Sequence, residues 1–442
     1  MGLLLLILYN LLAPLIAAFY FLFFFFSPRR GLLNNLLAEL KERLAVSVPV
    51  FAERPLWFHA ASVGEVRALK ALLPLVRERC PSKPVLITTS TSSGKAEALK
   101  LTPAAVLLPL DFYPLMRRFI SGTRPELIMI AETELWPNLL YAAGKEKVKV
   151  LLINARISAR TLGFYRLFPP LARLMFSGIV KISAQSRGDF ERYGLLPGVK
   201  DKLVLTGNIK YDLATPVPEG RAEIEAFFET SGWKEKKIFC AGSTHPEEED
   251  LILDAFLKIK AACPDARLII APRHPETAAS TAARIRNKGL IAPLWSRRGY
   301  ARPDPDCVLV DETGRLADIY SFSDVVFVGG TLDDTGGHNV LEPSAFSKPV
   351  LFGPNVKHTR EGAEALISKN GGFMIRTSEE LADKAISLLK DPSALSEAGA
   401  ASKAALESLQ GATNKTLSII ETYINPASAT FPKIETLSTK AS

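Results

Sequence analysis

The chain has 442 residues, 48% of them hydrophobic, with a formal net charge of +8. That length exceeds one ordinary domain and suits two of roughly 200 residues each. Four cysteines, at 80, 240, 263 and 307, form no CxxC pair, which excludes a disulfide framework and a cysteine zinc site and points to a reducing compartment.

The charge is unevenly spread. Residues 1–212 carry 28 basic and 15 acidic side chains, a net +13, and residues 213–442 carry 26 and 31, a net −5. Only the first half is suited to an anionic partner, either nucleic acid or an anionic membrane surface. The N-terminus favours the membrane. Residues 3–26, "LLLLILYNLLAPLIAAFYFLFFFF", hold no charge, and about 20 apolar residues span a bilayer core. Asn10 and Pro14 are tolerable in a spanning helix. A cleaved signal peptide needs a basic start and a small-residue cleavage site. This chain starts Met-Gly and ends its apolar run in phenylalanines before Arg29-Arg30. The expectation is an uncleaved anchor over 1–28, with the rest on the cytoplasmic side of the membrane. Residues 29–47, with Leu32, Leu36, Leu40 and Leu44, fit either a basic amphipathic helix on the inner leaflet or a helix packed on the protein core.

From residue 55 onward short apolar runs alternate with helical stretches. Strands are expected at 56–60, 85–90, 104–110, 127–132, 148–155 and 179–185. After a linker-like "DLATPVPEG" (212–220) they resume at 236–243, 266–273, 307–311, 324–330, 348–354 and 372–376. These are continuous apolar runs, as buried parallel strands require. The reading is α/β: two doubly wound Rossmann-like domains, 29–212 and 213–424, facing a cleft, and a disordered tail over 425–442.

In such folds ligands bind beyond the carboxyl ends of the strands. In the first domain those ends are polar. "HAASVGEV" brings Glu65 to a strand-to-helix turn, "TTSTSSGK" is a hydroxyl-rich turn suited to capping or to an anion, and "AETELWPN" carries Glu132 and Glu134. "INARIS" adds Asn154 and Arg156, and "GNIKYD" adds Lys210. "ISARTLGFYRLFPPLARLMFSG" (157–178) interleaves Arg160, Arg166 and Arg173 with Phe164, Tyr165, Phe168, Leu171, Met175 and Phe176. It reads either as a surface for a phosphorylated lipid or as a helix covering the sheet. In the second domain "AGSTHPEEED" offers small residues, Ser243 and Thr244, at a helix start. "APRHPE" offers Arg273 and His274, donors for a phosphate or a base carbonyl. "GGTLDDTGGHNVLEP" reads as a glycine-rich loop from which His338, Asn339, Leu341 and Glu342 open a helix, with the Glu342 carboxylate available to ribose hydroxyls. There is no GxGxxG fingerprint, the five histidines lack metal spacing, and no metal is expected.

These segments, in this order, resemble the bacterial 3-deoxy-D-manno-octulosonic acid (Kdo) transferases of lipopolysaccharide core biosynthesis. "ETELWPN" together with "GGHNVLEP" is the most specific part of the likeness. The resemblance implies a GT-B glycosyltransferase with CMP-Kdo as donor substrate, no separate cofactor, and the lipid A precursor (lipid IVA) as acceptor. It implies Glu65 as general base, and Glu132 and Lys210 as transition-state stabilisers. It assigns CMP to Arg273, His274, Asn339, Val340, Leu341 and Glu342, and to the loop Thr313-Gly314-Arg315. In that loop relatives often read Met-Gly-Glu or Ile-Gly-Glu, so Arg315 departs from the pattern. The chemistry agrees with these assignments. A positioned carboxylate takes the proton of an acceptor hydroxyl, attack opposite the leaving CMP inverts the anomeric centre, and basic side chains with helix-end amides near Ser243 and Thr244 absorb the leaving phosphate's charge. Rival readings are a sugar epimerase or hydrolase of the same fold, a membrane-tethered binding protein without catalysis and, weakest, a nucleic-acid binder, for which no motif is present.

Overall fold

The computed structural model describes residues 1–12, 39–213, 220–300 and 304–424. The chain divides into two compact units, Met1–Leu213 with Gln410–Ser442, and Ala214–Leu409. The first carries seven parallel strands: β1 (Leu56–His59), β2 (Val85–Thr89), β3 (Ala105–Leu107), β4 (Leu127–Ala131), β5 (Lys149–Ala155), β6 (Ile179–Ala184) and β7 (Leu203–Leu205). Their order is β3-β2-β1-β4-β5-β6-β7. The second carries six: β8 (Lys237–Thr244), β9 (Ala266–Pro272), β10 (Cys307–Leu309), β11 (Val325–Val328), β12 (Val350–Phe352) and β13 (Gly372–Met374), in the order β10-β9-β8-β11-β12-β13.

Successive side chains of a strand point to opposite faces, and here both faces are core. Trp57, Ile128 and Ile130 join one apolar cluster, while Leu56, Phe58, Leu127 and Met129 join the other. That is why these strands read as unbroken apolar runs rather than alternations. β7 escaped the sequence reading because three residues following a 3-10 turn leave no run to recognise. Each sheet reverses its winding once, between β1 and β4 in the first unit and between β8 and β11 in the second. The crevices for ligands therefore open at the carboxyl ends of those two strand pairs.

The boundary expected at 424 moves. The helix Ala412–Ile424 belongs to the first unit, and its Ala412, Leu417, Ile419 and Ile420 enter the apolar cluster around Leu56 and Phe58. Helical periodicity shows that a helix has an apolar face but not which core receives it. Ile420 is fully buried there, so Ile420→Ala is expected to cost about 2–5 kcal/mol. Hydrogen exchange should then quicken in β1 and β2 and stay unchanged in β8 and β9.

The expected anchor lies largely in residues 13–28, outside the described residues. Among the described residues no helix is long and apolar enough to cross a membrane. Residues 2–12 are helical and are tied to the first unit by polar contacts. Asn10 donates to Asn138 Oδ1 at 2.7 Å and accepts from the Tyr113 amide at 3.1 Å. The same helix exposes Leu3, Leu4, Ile7, Leu8 and Leu11. The described part of the expected leaflet helix also packs on protein. Arg43 donates to the carbonyls of Ser90 (2.8 Å) and Leu108 (3.2 Å), and Glu42 accepts from the Leu107 amide at 2.7 Å. The tail from residue 425 lies outside the described residues.

Candidate active site

Capping chemistry sets Glu65. Ser62 N-caps the helix Val63–Arg79 in extended conformation. Its hydroxyl accepts from the Glu65 amide (3.4 Å) and donates to Glu65 Oε1 (3.1 Å), and Glu65 Oε2 accepts from the Ala61 amide at 2.7 Å. This is a capping box reaching one residue further back than usual, and it folds the carboxylate over the end of β1. Burial raises its pKa to about 7, helped by the charges of Glu132 and Glu134 and opposed by the bonds from Ala61 and Ser62. A strand-to-helix turn alone would leave such an acid solvated and stabilised by its own helix. The carboxyl is instead half-buried among other acids and poised near neutrality, where a general base works best.

The neighbouring strand supplies the next two groups. β4 runs beside β1 with Ile130 opposite His59, so Glu132, just past β4, stands at the level of Ala61. Lys210 Nζ donates to Glu132 Oε1 at 2.7 Å. Three links hold Lys210 in place. Asn154 Oδ1 accepts from the Ile209 amide and Asn208 Oδ1 from the Lys210 amide, both at 3.0 Å, while Asp212 accepts from the amides of Gly411 and Thr413. The returning C-terminal helix therefore pins the segment that carries Lys210. Glu132 and Asn154 have φ of 56° and 49°, a left-handed backbone that costs non-glycine residues about 1–3 kcal/mol each and concentrates at functional sites. Glu134 is separate, accepting from Trp136 Nε1 at 3.0 Å.

In the "TTSTSSGK" turn the hydroxyls serve capping and local bonds. Thr91 caps the short helix Ser92–Ala98, Thr89 Oγ1 donates to the Thr91 carbonyl, and Ser92 donates to Glu39. Below it lies a pocket the sequence did not suggest, about 630 Å³, lined by Tyr9, Leu44, Leu108, Pro109, Phe112, Leu115 and Trp136 with Arg43, Ser90 and Asp111 at its polar points. The arginine-aromatic segment 157–178 divides. Tyr165, Met175 and Phe176 are core, while Phe164, Leu167 and Phe168 stay exposed beside Arg160, Arg166 and Arg173.

In the second unit the ends of β8, β9 and β10 gather Ser243, Arg273, Thr313, Gly314 and Arg315 around a pocket of about 90 Å³. Ser243 has φ of 57°. Arg315 is committed to acids: its guanidinium meets Glu312 at 3.1 Å and Glu223 at 3.2 Å. The helix expected from His338 onward shrinks to a 3-10 turn, Pro343–Phe346, with Glu342 as its cap. Proline at the first position follows an Asx-type turn, in which Asn339 Oδ1 accepts from the Leu341 amide at 3.2 Å. Val340 and Leu341 are buried, backbone and side chain alike. Much of Glu342 faces solvent, and Asn339 Nδ2 donates to its Oε1 at 3.4 Å. Desolvation raises its pKa against the pull of Asn339 and Arg273. Thr244 is buried and faces Glu249. His274 is exposed, with Nδ1 3.3 Å from Glu276.

Sequence reasoning missed two features here. Glu248 accepts from the amides of His245 (3.1 Å) and Gly330 (2.7 Å), stitching the ends of β8 and β11 together. His245 Nε2 and His338 Nε2 lie 2.8 Å apart. Both follow from the pairing of Val328 with Gly242, which only the strand order reveals. The stitch leaves no room at Gly329. A Cβ there would lie 2.3 Å from Glu248 Oε1 and 2.4 Å from the Ser243 carbonyl. Gly329→Ala is expected to destabilise the second unit by about 1–3 kcal/mol, read as a lower urea midpoint.

The profile of the family described as 3-Deoxy-D-manno-octulosonic-acid transferase (kdotransferase) matches residues 38–213. A Haemophilus influenzae 3-deoxy-D-manno-octulosonic acid transferase is 32% identical over 375 residues, 84% of this chain and 87% of that protein. The chain belongs to the Kdo transferase family. The Bordetella pertussis 3-deoxy-D-manno-octulosonic acid transferase is 30% identical over 86% of this chain and 90% of that protein. Among solved structures, a putative UDP-N-acetylglucosamine 2-epimerase from Listeria monocytogenes superposes with a TM-score of 0.59 at 13% identity, covering 86% of this chain and 98% of that one. That likeness concerns the fold alone, the α/β GT-B arrangement of two Rossmann-like units. Membership of the Kdo transferase family makes the chain a glycosyltransferase of lipopolysaccharide biosynthesis.

Proposed function

We propose that this Kdo transferase moves Kdo from CMP-Kdo to a lipid A precursor of the lipid IVA type, inverting the anomeric centre, with Glu65 as the base and no metal in the chemical step. The observation that carries the proposal is the Glu65 carboxyl, held over the end of β1 with a pKa near 7, beside the Glu132–Lys210 pair. Glu65 takes the proton of the acceptor hydroxyl while its oxygen bonds to the anomeric carbon. The bond from that carbon to the phosphate oxygen breaks, and CMP leaves with the electron pair. Glu132 offsets the positive charge that develops on the sugar, and Lys210 orients Glu132. Arg273 takes the leaving phosphate's charge, with amides near Ser243 and Thr244. Glu342 and Asn339 receive the ribose, the buried Val340 and Leu341 hold that turn in place, and the backbone of Thr313-Gly314-Arg315 lines the nucleotide, with His274 at the rim. Because Arg315 is held by Glu223 and Glu312, its contribution is through the loop backbone.

A lipid acceptor fits the apolar pocket of about 630 Å³ in the first unit. The exposed apolar side of residues 2–12, and Phe164, Leu167 and Phe168 beside three arginines, support attachment to the anionic inner face of the inner membrane. The test uses purified protein in detergent with CMP-Kdo generated in situ and a tetraacylated lipid A precursor. Released CMP together with a lipid heavier by one or more Kdo residues supports the reading. CMP release without a heavier lipid means hydrolysis, and neither product, where a known transferase forms both, favours a binding protein.

A further inference from the structure

We propose that His245 and His338 form a proton-sharing pair that takes up one proton when the donor's phosphate binds beside Arg273, so that this site supplies a second positive charge only when an anion is present. The inference rests on reading the second unit as the CMP-Kdo site.

The geometry allows little else. Two imidazole nitrogens 2.8 Å apart hydrogen-bond only if one carries hydrogen and the other a lone pair. The rings lie nearly parallel, 14° apart with centroids 5.1 Å apart. The loop closes on them: a Cβ at Gly330, where φ is +67°, would sit 2.9 Å from His338 Cδ2. The pair stands at the winding reversal between β8 and β11, where a ligand is expected. It is not used by any role assigned above.

The charges facing the pair come from every element around it. From the β8 end there are Glu247 and Glu248. From the β9 end there are Arg273 and His274, whose ring centroid lies 6.1 Å from that of His245. From the β11 loop there is Asp333, whose Oδ2 is 3.7 Å from His245 Nδ1. With no ligand the balance keeps His338 neutral. Burial lowers its pKa to about 4, with His245, Arg273 and His274 adding to the effect and Asp333 opposing it. A phosphate brought in by Arg273 reverses the sign of the local field and favours the imidazolium. His245, Glu247 and Asp333 have side-chain atoms within 4.8 Å of one another. We read that group as ionic support for the pair. It crowds the positive N-terminal end of the helix Pro246–Ala262, which disfavours a dication.

Linkage fixes the sign. A group whose pKa rises on binding strengthens binding below the bound-state pKa, and the gain fades as pH rises through it. The probe is the methyl ester of cytidine 5′-phosphate, a phosphodiester that does not titrate near neutrality. Calorimetry at pH 6.5 in buffers of different ionisation heat is expected to show uptake of a substantial fraction of one proton by the wild-type protein. Its affinity should rise about three- to tenfold from pH 8 to pH 6, within the tenfold-per-unit limit of a single proton. In His338→Asn and in His245→Gln, each checked for native unfolding, both the uptake and the pH dependence should vanish. Probe binding without proton uptake, or uptake that persists in both variants, overturns the pair and leaves the CMP site standing. Binding that requires a divalent cation and is abolished by a chelator also overturns it. No binding at any pH overturns the CMP reading and the pair together.

Discussion

Glu65→Gln is expected to slow Kdo transfer by about 10²–10⁴-fold, the range that a positioned general base supplies, while leaving CMP affinity unchanged. The two effects separate because Glu65 lies in the first unit and the residues proposed for the nucleotide in the second. Glutamine keeps an acceptor oxygen for the Ala61 amide and a group for Ser62, so the cap survives and the fold with it. Were Glu65 only a helix-stabilising acid, its loss would cost about 0.3–1 kcal/mol of stability and the rate would hold. Single-turnover product formation, read by lipid mass, alongside calorimetric CMP binding distinguishes the two.

Lys210→Ala is expected to reduce transfer by about 10²–10³-fold, comparable to the loss of one preorganised electrostatic group. The lysine is the partner that the structure gives Glu132, at 2.7 Å, and Glu132 already pushes the pKa of Glu65 upward. Without the lysine that push grows. The variant should therefore lose rate at every pH, and its activity should also need a higher pH to develop. Lys210→Arg restores a cation and should recover part of the rate. A Lys210→Ala enzyme as fast as wild type, with an unshifted pH dependence, would contradict the role.

Every strand but β7 was legible because parallel strands buried on two faces must be apolar throughout, as in "LIMIAE" and "DVVFVGG". Glu65, Glu132 and Lys210 were legible as polar residues at strand ends, and the family likeness supplied the roles proposed for them. What the sequence concealed depends on which distant elements meet. The helix at 412–424 has an ordinary apolar face, and nothing in its periodicity says that Ile420 packs near Leu56. His245 and His338 are 93 residues apart, and only the adjacency of β8 and β11 joins them. Glu342 looked like a first-turn helical acid, but Pro343 and the Asn339 turn leave it a cap on a short 3-10 segment. Asn10 looked like a tolerated polar residue in a spanning helix, whereas Asn138 and the Tyr113 amide claim it.

The most direct test of the account is the pH dependence of kcat/KM for the lipid acceptor at saturating CMP-Kdo, compared between the wild type and Glu65→Gln. The base acts as carboxylate, and its pKa is raised to about 7. Wild-type kcat/KM should therefore rise about tenfold per pH unit below pH 7 and level off above it. The acceptor's phosphates also titrate, near pH 6, but they do so equally in both proteins. In Glu65→Gln the bend near 7 should vanish from the low residual rate. A wild-type profile without that bend, or the same bend in the variant, would contradict Glu65 as the base.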